Sequence, residues 1–106
     1  MKDITKLYFD YDEILKILSD KYSRKIINFI RDSPKSTIQI SVDAKIELSL
    51  VYRRLQKLQK CGLVDTSIKI TLDGKKSCLY QGRIRGMNVR YLDDLIEVDM
   101  IANPAL

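Results

Sequence analysis

The sequence predicts a single α+β domain in which a block of short helices is followed by β-hairpins. Between residues 11 and 61, apolar side chains recur every three or four positions, which is the period of amphipathic helices. After Gly62 the period changes to two, and Asp73-Gly74 stands between two alternating stretches as a hairpin signal. The chain has 106 residues, a length that favours one domain with one modest core.

Composition is that of an ordinary globular protein, with 45% hydrophobic and 31% charged residues, and argues against disorder. No apolar run approaches the roughly 18 residues that a membrane span requires, and Met1-Lys2-Asp3 lacks the layout of a signal peptide. We therefore expect a soluble cytoplasmic protein. In that compartment Cys61 and Cys78 are expected to be thiols, with a disulfide as the less favoured alternative.

Two short helices are predicted before Pro34. Asp10 and Glu13 have the spacing of a capping box, and the first helix is expected to end near Ser19-Asp20. The second helix ends before Pro34, which cannot donate a backbone hydrogen bond. The apolar residues of the second helix are Tyr22, Ile26, Phe29 and Ile30. The apolar residues that extend the first stripe toward the N-terminus, as a helix or as a looser arm, are Ile4, Leu7, Tyr8 and Tyr11.

A third helix is predicted from Thr37 to about Asp43, because Ser36 and Gln39 again have the spacing of a capping box. Three residues, 44–46, then separate it from the next helix. A connection of this length joins two helices at a steep angle in a helix-turn-helix. The residues expected on the core side of the third helix are Ile38 and Val42, with Ile40 or Ile46 as further candidates.

The fourth helix is predicted from about Leu48 to Cys61, and Gly62 follows where a left-handed C-cap residue is needed. Its apolar stripe consists of Val51, Leu55 and Leu58. If this stripe is buried, the opposite half presents hydroxyl, guanidinium, amide and ammonium groups to solvent. At 100° per residue the outward positions are Ser49, Arg53, Gln56, Lys57 and Lys60, with Leu50, Tyr52 and Arg54 on the flanks.

Two hairpins are predicted after this helix. The first turns at Asp73-Gly74 and carries Lys75 and Lys76 at its tip. The second turns at Asp93-Asp94, since alternation holds on both sides of this pair, within residues 87–101. A helix is the alternative for this last segment, because some of its apolar residues also recur at helical spacing. These residues are Val89, Leu92, Ile96 and Met100.

Positive charge is concentrated in the middle of the chain. Residues 47–90 hold ten basic and three acidic side chains, a net charge of +7, whereas residues 91–106 hold four acidic side chains and no basic one. A polyanion-binding surface requires such a concentration. The single domain 1–106 thus divides into an N-terminal arm or helix (1–18), a helical core (20–62), a first hairpin (64–85) and a second hairpin (87–101).

Three stretches, ILKILSDKYSRKIINFIRDSP, STIQISVDAKIELSLVYRRLQKLQKCGLV and DGKKSCLY, together resemble the winged helix-turn-helix domain of ArsR-type transcriptional regulators, particularly archaeal ones. The resemblance covers roughly residues 11–85. It implies that helix 48–61 enters the major groove of DNA, that hairpin 66–85 is the wing, and that dimers bind near-palindromic operators. The chain departs from the family at Glu47, where a small polar capping residue is usual, and in its predicted second hairpin, where a dimer-forming helix is common.

If the chain binds DNA, the chemistry of the exposed side chains predicts which part of the duplex each of them contacts. Arg53 and Ser49 are candidates for base edges, Leu50 for a thymine methyl group and Gln56 for adenine. Tyr52 either contacts a phosphate or covers the core as a half-buried aromatic residue. The candidates for phosphate contacts are Arg54, Lys57, Lys60, Lys75 and Lys76. Arg83, Arg85 and Arg90 either extend this surface or pair with Asp93, Asp94 or Glu97.

Catalysis and metal binding are not expected. The chain has no histidine, only two cysteines and no glycine-rich phosphate loop, so the usual nucleophile, base and metal-ligand arrangements are missing. We expect no cofactor, and we expect double-stranded DNA and a second copy of the chain as partners. The dimer contact is expected at the N-terminal apolar residues, with or without the C-terminal strands. The alternative is a protein–protein interaction module of a transcription or replication assembly.

Overall fold

Within residues 11–106, four helices are followed by two antiparallel hairpins, so the predicted α+β class is confirmed. The computed structural model describes residues 11–106. The predicted positions Ile4, Leu7, Tyr8 and Asp10 lie outside the described residues. The helices are α1 (Tyr11–Ser19), α2 (Lys21–Phe29), α3 (Thr37–Ala44) and α4 (Leu48–Lys60). The strands are β1 (Val64–Ile70), β2 (Lys76–Gly82), β3 (Ile84–Leu92) and β4 (Leu95–Ala102).

The helix boundaries follow from local capping chemistry. The predicted capping box of α3 is confirmed: the Gln39 amide donates to the Ser36 hydroxyl at 3.1 Å, and the Ser36 amide donates to the Gln39 side chain at 2.9 Å. At the end of α4, Gly62 adopts a φ of 71°, a left-handed conformation that glycine reaches without a steric penalty. β1 can therefore begin two residues later, at Val64.

The predicted core side of α3 is wrong for Ile38 and Val42 and correct for the further candidates Ile40 and Ile46. Ile38 and Val42 are 63% and 68% exposed, whereas Ile40 and Ala44 are buried. The connection to α4 explains the difference: the Ser41 hydroxyl donates to the Ile46 carbonyl at 2.6 Å, and the Ile46 amide donates back to the Ser41 carbonyl at 3.1 Å. This folded-back turn buries Ile46, the other candidate, and turns the Ile40 side of α3 inward.

The predicted apolar stripe of α4 is confirmed, because Val51, Leu55 and Leu58 are all buried. They pack in one cluster with buried residues of the other three helices, of the connections between elements and of the strands. These partners include Ile17, Ile26, Ile30, Ile40, Ile46, Leu63 and Ile84. Since one side of α4 is held by this core, its other side must face solvent.

The first hairpin is joined by a short third segment. β1 and β2 pair in antiparallel register from Val64 opposite Gly82 to Ile70 opposite Lys76. On the other side of β2, Lys35 and Tyr80 exchange backbone hydrogen bonds of 3.0 and 2.8 Å. The chain just before α3 thus lies against the hairpin and ties it to the helices. This arrangement is compatible with a winged helix-like fold.

The second hairpin is confirmed over the helical alternative. β3 and β4 pair antiparallel and connect through Asp93 and Asp94, whose φ angles are 51° and 64°. Positive φ at both central residues is the geometry of a two-residue turn that matches the twist of a hairpin. Arg90 on β3 forms an ion pair with Glu97 on β4, as one of the two alternatives for the arginines predicted. Among residues 11–106, no helix has both the length and the apolar character needed to cross a membrane.

Candidate nucleic-acid interface

The outward side of α4 is a polar and cationic strip. All five predicted outward residues, Ser49, Arg53, Gln56, Lys57 and Lys60, are exposed. Sequence reasoning missed Gln59, which is also exposed; its position three residues after Gln56 is the signal that could have identified it. Leu50 is half-buried and packs against the core, so only part of its side chain faces outward.

The N-terminal end of the strip contains an acidic residue. Glu47 stands at the N-cap position of α4, but its carboxylate does not accept a hydrogen bond from the helix backbone. It accepts instead from the Ser49 hydroxyl at 2.8 Å. The Ser49 proton is therefore engaged within the protein, while its oxygen lone pairs face solvent as acceptors.

Arg54 is held on the flank of α4 by the start of α2. Its Nε lies 2.7 Å from an oxygen of Asp20, which also accepts from the amide and hydroxyl of Ser23 at 2.9 and 2.7 Å. Burial alone would raise the pKa of Asp20, but the hydrogen bonds from Ser23 and the Arg54 guanidinium together lower it below its ordinary value. Asp20 therefore caps α2 and positions Arg54 at the same time.

This arrangement makes stability sensitive to acid. Because the pKa of Asp20 is lower in the folded state, its stabilising contribution is present above the ordinary aspartate pKa and is lost as pH falls through the folded-state value. We expect the free energy of unfolding, measured by urea denaturation, to fall less between pH 6 and pH 3 in Asp20→Asn than in the wild type. An equal fall in both proteins would contradict this role.

The hairpin tip places cations beyond the C-terminal end of α4. Lys69, Lys75 and Lys76 are exposed on β1, the tip and β2. The tip is closed by hydrogen bonds from the Thr71 amide to the Lys75 carbonyl at 2.8 Å and from the Gly74 amide to the Thr71 carbonyl at 2.9 Å. The lysines therefore lie on a hydrogen-bonded hairpin turn rather than on an irregular loop.

Two tyrosines, one on α4 and one on β2, differ in burial. Tyr52 of α4 is about half exposed, whereas Tyr80 of β2 is half-buried and packs against the core. Burial raises the pKa of Tyr80, and the neighbouring Cys78 side chain raises it further. About half of the Tyr52 side chain therefore faces solvent.

The cysteines and acidic residues in the described part of the chain form neither a disulfide nor a metal-binding cluster. Cys61 and Cys78 are both thiols, as predicted. Within residues 11–106, no three cysteine, aspartate or glutamate side chains come together in a way that could hold a metal ion. Arg83 and Arg85 do not make an ion pair with Asp93, Asp94 or Glu97 in the described structure.

No family model matches the chain, and no curated protein matches it. The resemblance to ArsR-type regulators therefore depends on the chain's own residues and on their arrangement.

Proposed function

We propose that the chain is a sequence-specific double-stranded DNA-binding transcriptional regulator of the winged helix-turn-helix type, which acts as a dimeric repressor by occluding its operator. The observation that carries the proposal is the exposed cationic strip of α4, with a lysine-tipped hairpin directly beyond its end. α4 is the recognition helix in this proposal, and the hairpin of β1 and β2 is the wing. Both elements are anchored by one core, so their spacing is fixed before DNA binds.

The major groove of B-DNA is about 12 Å wide and admits one α-helix. Arg53 lies in the middle of the exposed strip, where its guanidinium can pair with both acceptors of guanine. Ser49 and Gln56 lie one turn before and about one turn after it, and Leu50 offers an apolar edge for a thymine methyl group.

Phosphate contacts belong to the ends of the surface. Lys57 and Lys60 lie in the last turn of α4, and Lys75 and Lys76 lie on the wing. The Nε of Arg54 is bound to Asp20, but its two terminal guanidinium nitrogens can still donate hydrogen bonds. We therefore assign Arg54 a phosphate contact through these nitrogens. Tyr52 lies on the flank of α4 and is about half exposed, so its hydroxyl can donate to a phosphate.

Salt dependence and two matched variants test the proposal. A selection from random duplex DNA would first supply bound sites, and binding to them would then be measured between 50 and 200 mM salt by fluorescence anisotropy. We expect affinity to fall steeply, by about 10³-fold or more, if six or more phosphates are contacted. Arg53→Ala should flatten discrimination between sites by about 1–3 kcal/mol, whereas Lys76→Ala should lower affinity for all sites alike.

Arg90→Ala is the control, since it removes the same charge from a residue that is already paired with Glu97 on the second hairpin. We expect it to change neither discrimination nor salt dependence appreciably. Wild-type protein that does not bind duplex DNA even at 50 mM salt would overturn the proposal.

The second candidate is a winged-helix module that binds another protein in a transcription or replication assembly. One observation favours it: Ile38 and Val42 form an exposed aliphatic pair on α3 that the described residues do not cover. Double-stranded RNA fits less well, because its deep, narrow major groove excludes a helix.

The proposed dimer would place two recognition helices about one DNA turn apart, roughly 34 Å. Its contact is assigned to the N-terminal apolar residues, of which Tyr11 begins α1, with or without the second hairpin.

A further inference from the structure

A fully exposed leucine stands at the tip of the wing. Leu72 follows Ile70 and Ile68 at alternate positions, and those two isoleucines are about two-thirds exposed. Alternate residues of a strand share one face, so Ile68 and Ile70 line one side of the hairpin up to its tip. Single exposed aliphatic residues are common on protein surfaces, but a run of three on a small basic element is unusual.

The fold does not require Leu72. The turn is closed by backbone bonds between Thr71, Gly74 and Lys75, and Gly74 supplies the positive φ of 81°. The Thr71 hydroxyl adds side-chain bonds to Asp73 and to the Lys75 carbonyl. Leu72 is one of the two central residues of this turn, and polar residues serve equally well there.

Ile68 and Ile70 belong to the face of the wing that packs on the core at its base. In the β1–β2 register, Ile68 lies opposite Cys78 and Thr66 lies opposite Tyr80, and residues directly opposite share a face. Tyr80 packs against the core, and Val64 at the base of the same face is buried. Ile68 and Ile70 therefore lie on the face of the hairpin whose base packs on the core, farther along toward the tip.

The other hairpin tip provides a contrast. Leu95, next to the β3–β4 turn, is also about two-thirds exposed, but its neighbours are Asp93, Asp94 and Glu97. The neighbours of Leu72 are the exposed Lys69, Lys75 and Lys76. Two exposed leucines thus stand on tips of opposite charge, and only the tip of the wing is complementary to a polyanion.

One acidic residue lies at the wing tip. The Asp73 carboxylate accepts hydrogen bonds from the Thr71 hydroxyl and the Lys75 amide, which lower its pKa below the ordinary aspartate value. That carboxylate is 3.9 Å from the Lys75 ammonium group. The nearby cations therefore offset its charge, and the tip as a whole remains positive.

We propose that Leu72 inserts into the minor groove of the bound duplex as an apolar wedge, and that the wing thereby bends the DNA. The inference rests on the proposed function, because α4 must occupy the adjacent major groove. The minor groove is about 6 Å wide, and leucine is among the side chains that proteins insert between its base steps. Lys75 and Lys76 would hold the phosphates on either side, while Ile68 and Ile70 would contact sugars.

The sequence that accommodates such a wedge is also constrained. Pyrimidine–purine steps such as TA and CA unstack most readily, so these steps are expected where the wing reaches the duplex, outside the bases that α4 reads. Selected binding sites should therefore contain a flexible step at a position with no hydrogen-bonding contact.

The test uses duplexes that contain a selected site and carry a donor and an acceptor dye at their ends. Wild-type protein is expected to bend the duplex by about 20–90°. Leu72→Ala should reduce the bend and weaken binding about tenfold, while the slope of affinity against salt stays unchanged because leucine releases no counterions. Leu95→Ala is the matched control for an exposed leucine at a hairpin tip and should leave the bend of the bound duplex unchanged.

Each remaining outcome counts against a specific claim. A straight duplex in the wild-type complex, or equal bend and affinity in Leu72→Ala, would overturn the wedge but leave the proposed function intact. Sedimentation that shows Leu72-dependent self-association without DNA would assign the apolar face to a second copy and also overturn it. Wild-type protein that does not bind duplex DNA at low salt would overturn the proposed function, and the wedge with it. Because Leu72 is fully exposed, Leu72→Ala is expected to keep the wild-type thermal midpoint.

Discussion

Replacing Ile40 by alanine is expected to lower the free energy of unfolding by about 2–5 kcal/mol, the range for truncating a large buried aliphatic side chain. Ile40 is completely buried and belongs to the cluster that holds α2, α3 and α4 together. Truncation removes apolar contacts and leaves a cavity that the packed neighbours fill only in part. A loss of this size is a large fraction of the stability of a small domain.

Ile38 provides a matched control two residues away in the same helix. It is 63% exposed, so Ile38→Ala is expected to change the free energy of unfolding by less than about 0.5 kcal/mol. Urea denaturation followed by circular dichroism measures both variants under one condition. If Ile38→Ala costs more than Ile40→Ala, α3 is rotated relative to the arrangement described above and the core side expected from the sequence is the true one.

The buried side of α3 was hard to predict for a reason that lies in its sequence. Ile38, Ile40 and Val42 alternate, so two different stripes at helical spacing each contain apolar residues. The choice between them depends on the Ser41–Ile46 turn, whose hydrogen bonds form only when the helix has been placed. α4 was predictable because its apolar residues form one stripe and its remaining positions are mostly polar.

Some features of the candidate interface were predictable from the sequence, and others were not. The outward residues of α4 follow from its apolar stripe by helix geometry alone. The lysines of the first hairpin were predictable because Asp73-Gly74 marks the turn beside them. The pairing of Arg54 with Asp20 joins positions that are 34 residues apart, and no local pattern marks it. The Ser49–Glu47 hydrogen bond is local, but periodicity does not reveal which acceptor a hydroxyl selects.

The second hairpin was the harder part of the β region. Residues 87–101 fit both a period of two and a helical stripe, since their apolar residues are numerous. The Asp93-Asp94 pair decides between them, because aspartate tolerates the left-handed conformation that a two-residue turn demands. A turn residue can therefore outweigh an ambiguous hydrophobic pattern.

Asn103 is a structural residue that no sequence pattern indicated. It is buried after the end of β4, and its Nδ2 donates to the carbonyls of Arg31 and Gly82 at 2.6 and 2.7 Å. Its Oδ1 accepts from the Ala105 amide at 3.0 Å. One side chain thus connects the C-terminal segment to the backbone just after α2 and to the last residue of β2.

Asn103→Ala is expected to lower the free energy of unfolding by about 1–3 kcal/mol, because buried carbonyls lose a hydrogen-bond donor. The Arg31 carbonyl keeps a second donor, the Gln81 side chain at 3.2 Å, so the Gly82 carbonyl should account for most of the loss. Asn88→Ala removes the same side chain from an exposed position on β3 and is the control, expected to change stability by less than about 0.5 kcal/mol. Hydrogen exchange should also show faster opening of β3 and β4 in Asn103→Ala, since Asn103 fastens their open end to the helical core. Equal stability of the two variants would mean that the second hairpin is held by its backbone contacts alone.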